Sequence, residues 1–211
     1  MKEHGILFSA PMVRAILEGR KTQTRRIVKA ERMHECYGKP VWDKAWVDGP
    51  SNCVYLHVPF DGCGVDGMET AHRHYCPHPV GTRLWVRETW LVFPLVGSDG
   101  KENLYAAYRA TDEHTYPRHP SDRWRPSIHM PREYSRITLE VTEVRVQRIQ
   151  SITPDDCANE GIEGGGASDP LGPISLVTKF RDLWISVNGQ DAWDSNPWAW
   201  AYTFKVIEVK K

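Results

Sequence analysis

The sequence has no surplus of charge: 27 lysines and arginines stand against 27 aspartates and glutamates. That balance excludes a long-range field that draws in polyanions, so any nucleic-acid contact has to use a local basic patch. Cysteine is sparse and odd in number, five in 211 residues, which points to a reducing cytoplasm. Long hydrophobic runs are missing. The opening Met1-Lys2-Glu3-His4-Gly5 leads into only a short apolar stretch, so neither a signal peptide nor a membrane span is expected. No internal repeat stands out, and one domain over residues 1–211 with an insertion at 30–79 is the expected organisation.

Aromatic residues, by contrast, are plentiful. Nine tryptophans and eight tyrosines supply core volume and, where exposed, surfaces on which bases can stack. The densest chemistry lies in Gly19-Arg20-Lys21-Thr22-Gln23-Thr24-Arg25-Arg26. It follows a short amphipathic helix, predicted from Met12 to Glu18 with Pro11 in its first turn and Gly19 just past its end. Thr22 to Val28 then reads as a strand. A basic, hydroxyl-bearing cluster at such a junction can bind an anion or hold a nucleophile.

Further along, Pro40, Gly49-Pro50, Gly62, Gly64, Gly67 and Pro77 interrupt residues 30–79, which predicts a loop-rich insertion packed against the main body or rimming its pocket. Strands are expected at Ile6 to Phe8, Arg83 to Val92 and Asn103 to Tyr108, with a surface loop from Thr111 to Pro126. Arg136 to Ile149 is the clearest long strand. Its apolar residues change phase near Thr142-Glu143, which predicts a bulge or bend. Thr153-Pro154-Asp155-Asp156 starts a short helix that stops at Gly161. A second helix runs through Leu176, Phe180, Trp184 and Val187 to Asn188-Gly189, and an aromatic strand from Trp198 to Val206 ends the pattern.

These elements in this order resemble the ASCH superfamily. The resemblance is carried by Gly19 to Arg25, by Gly81-Thr82-Arg83-Leu84-Trp85-Val86-Arg87-Glu88 and by Ala158-Asn159-Glu160-Gly161. Trp124 to Arg132 and Trp193-Asp194-Ser195-Asn196-Pro197-Trp198 look like its phage- and prophage-borne branch. The resemblance implies an α+β fold, a PUA-like β-barrel with short flanking helices, and a link to RNA. It also implies one of three activities: hydrolysis of an N4-acylcytidine-like amide, non-catalytic RNA binding, or RNA cleavage. In the amidohydrolase branch a lysine, a threonine and a glutamate do the chemistry, and by motif these fall on Lys21, Thr24 and Glu160. Greater length, the insertion and the tryptophan-rich tail distinguish this chain from that branch.

Amide hydrolysis needs a nucleophile, a proton carrier and an oxyanion stabiliser. Thr24 suits the first role and Lys21 the base that activates it, provided burial or the neighbouring Arg20, Arg25 and Arg26 lower the lysine's pKa. Glu160 can hold a water or protonate the leaving amine. On a regular strand Lys21 and Thr24 would fall on opposite faces, so their convergence requires a turn at Lys21-Thr22. Lys21 sits at an element boundary, so its removal is expected to leave no core cavity. Substrate contacts are expected from Arg20, Thr22, Arg25, Arg26 and Glu88, and from Trp124, Arg125 and His129 in a second basic cluster. His72, His74, Cys76 and His78, with Cys36, Cys53 and Cys63, invite a zinc reading, but their spacing is unlike a standard site; no metal and no cofactor are expected. Cys157 reads as a packed thiol.

Overall fold

The computed structural model describes residues 3–28, 44–48, 53–58, 70–96, 102–116, 123–164 and 172–210. Its strands are β1 (Glu3–Leu7), β2 (Gln23–Ile27), β3 (Lys44–Asp48), β4 (Cys53–Val58), β5 (Thr70–Tyr75), β6 (Arg83–Arg87), β7 (Trp90–Val96), β8 (Glu102–Tyr108), β9 (Ile137–Arg148) and β10 (Trp198–Val209). Its helices are α1 (Ala10–Leu17), α2 (Arg109–Asp112), α3 (Pro154–Asn159), α4 (Pro173–Asn188) and α5 (Gln190–Asp194). The fold is mixed α+β. Among the described residues no strand pairing closes a barrel, and no helix is long and apolar enough to cross a membrane.

The chain divides into two compact units, each assembled from separated segments. The first comprises Met1–Thr22, Gly81–Thr142 and Phe204–Lys211. Here β1 runs parallel to β6, and β6 pairs antiparallel with β9, Leu84 opposite Leu139. Alternation buries Leu84 and Val86 on β6, while Ile137, Leu139 and Val141 are buried on β9. The β1–β6 pair explains Gly5: a Cβ there would lie 2.8 Å from the Trp85 ring, closer than any side chain tolerates. β7 and β8 form a separate hairpin.

The second unit comprises Gln23–Val80 and Glu143–Thr203. β2 pairs antiparallel with β10, setting Thr24 opposite Tyr202 and Arg25 opposite Ala201. Below that pair a core forms from Ile149, Ile152, Cys157, Leu176, Phe180, Trp184 and Ala199. Leu176, Phe180 and Trp184 recur at the four-residue spacing of one helix face, which is why α4 docks with that stripe inward. The β3–β4–β5 meander completes the unit.

Several expectations change. Residues 30–79 contain three antiparallel strands and are not simply a loop region, because glycine and proline fall between the strands and not within them. The stretch 83–92 is two strands broken at Glu88-Thr89, and α2 and α5 were not foreseen. Helix α1 starts at Ala10, with Pro11 in its first turn as expected. The phase change in β9 coincides with the boundary between units at Thr142/Glu143. Of the zinc reading's residues, Cys36 and Cys63 lie outside the described residues.

Replacing Phe180 with alanine should cost about 3–5 kcal/mol, because the side chain is almost wholly enclosed and its neighbours belong to two helices and a strand. Urea denaturation of the variant checks this; a loss below about 1 kcal/mol would mean that α4 does not seal this core.

Candidate functional site

In the second unit the chemistry is organised around Arg25. As the central residue of β2 it alternates with Thr24 and Arg26, so it shares a face with Gln23 and Ile27. Its side chain is 1% exposed. Its guanidinium meets Asp156 Oδ2 at 2.8 Å and Glu160 Oε1 at 3.0 Å, and donates to Gln147 Oε1 at 3.1 Å. Arg145 binds the other Asp156 oxygen at 3.1 Å. The Gln23 amide fits when its nitrogen donates to Asp156 Oδ1 at 3.0 Å and its oxygen accepts from Arg145 Nη2 at 2.8 Å. Arg25, Asp156 and Glu160 are buried and paired, the condition on which buried charge is tolerated, while Arg145 joins them from a side chain that is a third exposed.

Helix α3 presents both carboxylates. Thr153 caps it, accepting from the Asp156 amide at 3.1 Å, and Pro154 occupies its first turn. Glu160 is the residue that ends the helix, followed by Gly161 at φ +86°. The amides of Gly161 and Ile162 bond back to Ala158 and Cys157 at 2.8 and 3.1 Å. Only glycine reaches that backbone conformation without strain, so Gly161 sets where Glu160 stands.

Burial works against the Asp156 carboxylate, but the charges of Arg25 and Arg145 and the bonds from Arg145 and Thr153 outweigh it and hold its pKa below the ordinary value. Burial pushes the Cys157 thiol up to about 12, and the Glu160 and Asp156 charges reinforce this against the pull of Arg25. That thiol stays protonated and is not a nucleophile.

Thr24 and Arg26 occupy the other face of β2, with Tyr202 opposite Thr24. Tyr202 is buried, its hydroxyl 3.9 Å from Cys76 Sγ and its ring 5.5 Å from the His78 ring. Burial, then the Cys76 thiol, raise the phenol's pKa well beyond its usual range, so it remains a neutral donor. Burial also lowers the Arg26 guanidinium's pKa, opposed by Glu160 and Tyr202. The structure therefore brings Arg25 and Glu160 into direct contact, whereas Thr24 belongs to the face that Arg25 does not share.

Lys21, Glu88 and the second basic cluster belong to the first unit. Lys21 precedes β2, its amide bonded to Ala15 O at 2.9 Å past the end of α1. Its side chain is 2% exposed, with the ammonium 5.7 Å from the centre of the Phe8 ring. An enclosed lysine corrects the expectation that its removal leaves no cavity, because the long stem fills core volume. Arg20 pairs with Glu18 at the surface. The Thr22 carbonyl accepts from Phe204 N at 2.9 Å.

Glu88 is buried and held by Nε and Nη2 of Arg136, at 2.9 and 3.1 Å. Arg136 also lies 4.0 Å from the Tyr108 ring centre and donates to Thr111 Oγ1 at 3.1 Å. Burial raises the Glu88 pKa, Arg136 pulls it down by bond and charge, and Asp112 adds to the rise. Glu88 braces the first unit. Trp124 is half-buried, and Arg125 and His129 are exposed. The Arg125 guanidinium lies 5.2 Å from the Trp90 ring centre, and the two residues share backbone bonds of 2.7 and 3.2 Å.

Sequence reasoning missed Asp156, Arg145 and Gln147 as parts of the Arg25 cluster, and it placed Arg136 in the second basic cluster without pairing it with Glu88. Asp156 carried a signal, an acid in the first turn of α3, but that position alone accounts for an acid by the helix dipole. Comparison of the chain with protein-family models, with curated proteins and with solved structures finds no match.

Asp156 and Glu88 should give stability opposite pH dependences. Asp156 has a depressed folded pKa, so its contribution is present above the unfolded value of about 3.9 and is lost as pH falls through the folded value. Glu88 has a raised one, so its contribution is complete below about 4.3 and declines as pH rises through the folded value. Urea midpoints across a pH series should show Asp156→Asn flattening the acid limb and Glu88→Gln removing the decline above it. Unchanged limbs in both variants would refute these assignments.

Proposed function

We propose that this chain is an ASCH-type protein with a PUA-like barrel, which binds RNA or a modified nucleoside and hydrolyses an N4-acylcytidine-like amide. One observation carries the reading. Two motifs that support the resemblance, Gly19 to Arg25 and Ala158 to Gly161, are joined through the buried ion pair of Arg25 with Glu160 at 3.0 Å. An ASCH-type amidohydrolase needs its glutamate held in a fixed orientation, and a guanidinium anchored by a second carboxylate supplies that.

The roles of Lys21, Thr24 and Glu160 come from the resemblance. Lys21 is buried, its ammonium 5.7 Å from the centre of the Phe8 ring, and a lysine amine withdrawn from bulk water is the residue type the family uses as its base. In the proposed reaction Lys21 takes the Thr24 hydroxyl proton and the oxygen attacks the amide carbonyl. The C–N bond breaks as the N4 amine receives a proton, and water then releases the acyl group from Thr24 as a carboxylic acid. Glu160 positions that water or supplies the amine's proton.

A second reading is a non-catalytic RNA-binding module. It is favoured by exposed Arg125 and His129 beside half-buried Trp124, a combination that suits phosphate and base contacts. An RNA-cleaving role for Lys21 is a third, with no observation that prefers it.

Incubation with N4-acetylcytidine and, separately, with labelled RNA separates the three. The amidohydrolase reading expects acetate release. It expects Lys21→Met, which keeps the apolar stem, to reduce turnover at least about a hundredfold, the scale of a positioned acid–base group. Full turnover in Lys21→Met would remove the lysine's role. Strand cleavage without acetate release would replace the reading.

A further inference from the structure

Attack on an amide carbonyl builds negative charge on its oxygen, and a fixed hydrogen-bond donor there is among the largest aids to the reaction. Lys21, Thr24 and Glu160 leave that role open. The groups placed to fill it are those on the Thr24 face of the β2–β10 pair. Residues two apart on a strand share a face, as do directly opposite residues of an antiparallel pair. Thr24 therefore shares its face with Arg26, with Tyr202 opposite it and with Trp200 opposite Arg26. Thr24, Trp200 and Tyr202 are all buried, and the two rings lie 6.5 Å apart at 22°. Arg26 is already engaged: its Nη1 donates to the Arg25 carbonyl at 3.2 Å, and the Glu160 charge lies close enough to act on it. Tyr202 is held less firmly. Its hydroxyl meets the His78 backbone amide, which occupies a lone pair and not the proton. Its other partner is the Cys76 sulfur at 3.9 Å, a weak hydrogen-bonding group at long range. Among the described residues no oxygen accepts the phenolic hydrogen. A phenylalanine would fill the same space without burying that hydrogen, so packing alone does not account for the hydroxyl.

We infer that Tyr202 is the oxyanion donor of the proposed hydrolysis, its hydroxyl bonding to the acyl oxygen of an N4-acylcytidine-like substrate while Thr24 attacks the acyl carbon. The role rests on the reading under Proposed function. An oxyanion donor has to come within about 2.7–3.1 Å of an oxygen carried by the same carbon that the nucleophile attacks. Nucleophile and donor must therefore be neighbours on one side of the sheet, and the register makes Thr24 and Tyr202 so. As the Thr24 oxygen bonds to the carbon, the C=O π pair moves onto the acyl oxygen, and the Thr24 proton passes to Lys21. When that pair returns, the C–N bond breaks and its electrons leave with the N4 amine, which takes a proton. Tyr202 keeps its own proton throughout, because burial, reinforced by the Cys76 thiol, holds its pKa well above the ordinary phenol range. Glu160 has the wrong charge for this place, since a carboxylate would repel the developing oxyanion.

The test follows acetate release from N4-acetylcytidine by the full chain and by Tyr202→Phe. The substitution keeps the ring against Trp200 and His78 and removes one oxygen, so folding is not at stake. It should lower kcat at least about a hundredfold, the scale of one oxyanion donor. KM should stay within about twofold, because the bond strengthens only as charge develops. N4-thioacetylcytidine gives a second measurement, since sulfur accepts hydrogen bonds weakly. Exchanging oxygen for sulfur should slow the parent at least about tenfold more than it slows Tyr202→Phe. Parent-like kcat in Tyr202→Phe, a loss confined to KM, or a sulfur effect that the substitution leaves unchanged would each overturn the donor role while the amidohydrolase reading stands. A parent protein that releases no acetate would overturn that reading, and the role of Tyr202 with it.

Discussion

A guanidinium withdrawn from water sets the terms for its surroundings, and in this protein that group is Arg25. Desolvating an arginine costs several kcal/mol unless its donors meet acceptors of opposite charge in good geometry. Asp156 at 2.8 Å, Glu160 at 3.0 Å and Gln147 at 3.1 Å meet that demand at its two terminal nitrogens, while its Nε has no partner among the described residues. Each acceptor needs its own support in turn. Arg145 and the Thr153 cap hold Asp156, and the Gly161 turn fixes the end of α3 from which Glu160 projects. The positions of β2, β9 and α3 are thereby tied to one charge.

This arrangement also bears on what the neighbouring groups can do chemically. The same field that keeps Asp156 ionised does not rescue the Cys157 thiol, where burial and the two carboxylates prevail. In the first unit the balance falls the other way for Glu88: although Arg136 grips both its oxygens, burial wins and its pKa rises. Carboxylates paired with arginine therefore shift in opposite directions, according to how many cations face them and how deeply they are enclosed.

The elements most legible in the sequence were those whose pattern is local. Thr153-Pro154-Asp155-Asp156 announces its helix start through capping chemistry, and Leu176, Phe180 and Trp184 announce α4 through their spacing. The meander within residues 30–79 was read as loops because each strand is only five or six residues long and is hemmed by glycine and proline; its pairing is a tertiary fact. The break at Glu88-Thr89 was hidden for a related reason: Arg83 to Val92 alternates well enough for one strand, and nothing local marks Glu88 as the partner of Arg136, 48 residues away. In the candidate site, Arg25 and Glu160 were both picked out from their motifs. Their contact across 135 residues, and the part played by Asp156 and Arg145, arise only when the strands pair.

If one buried charge organises this part of the molecule, Arg25 and Glu160 must be energetically coupled. A double-mutant cycle on stability, with Arg25→Met, Glu160→Gln and the combined variant followed by urea denaturation, measures that coupling directly. The account predicts a coupling energy of about 1–3 kcal/mol, because either single substitution takes from a buried charge its partner at 3.0 Å. Additivity within about 0.3–0.5 kcal/mol would contradict it.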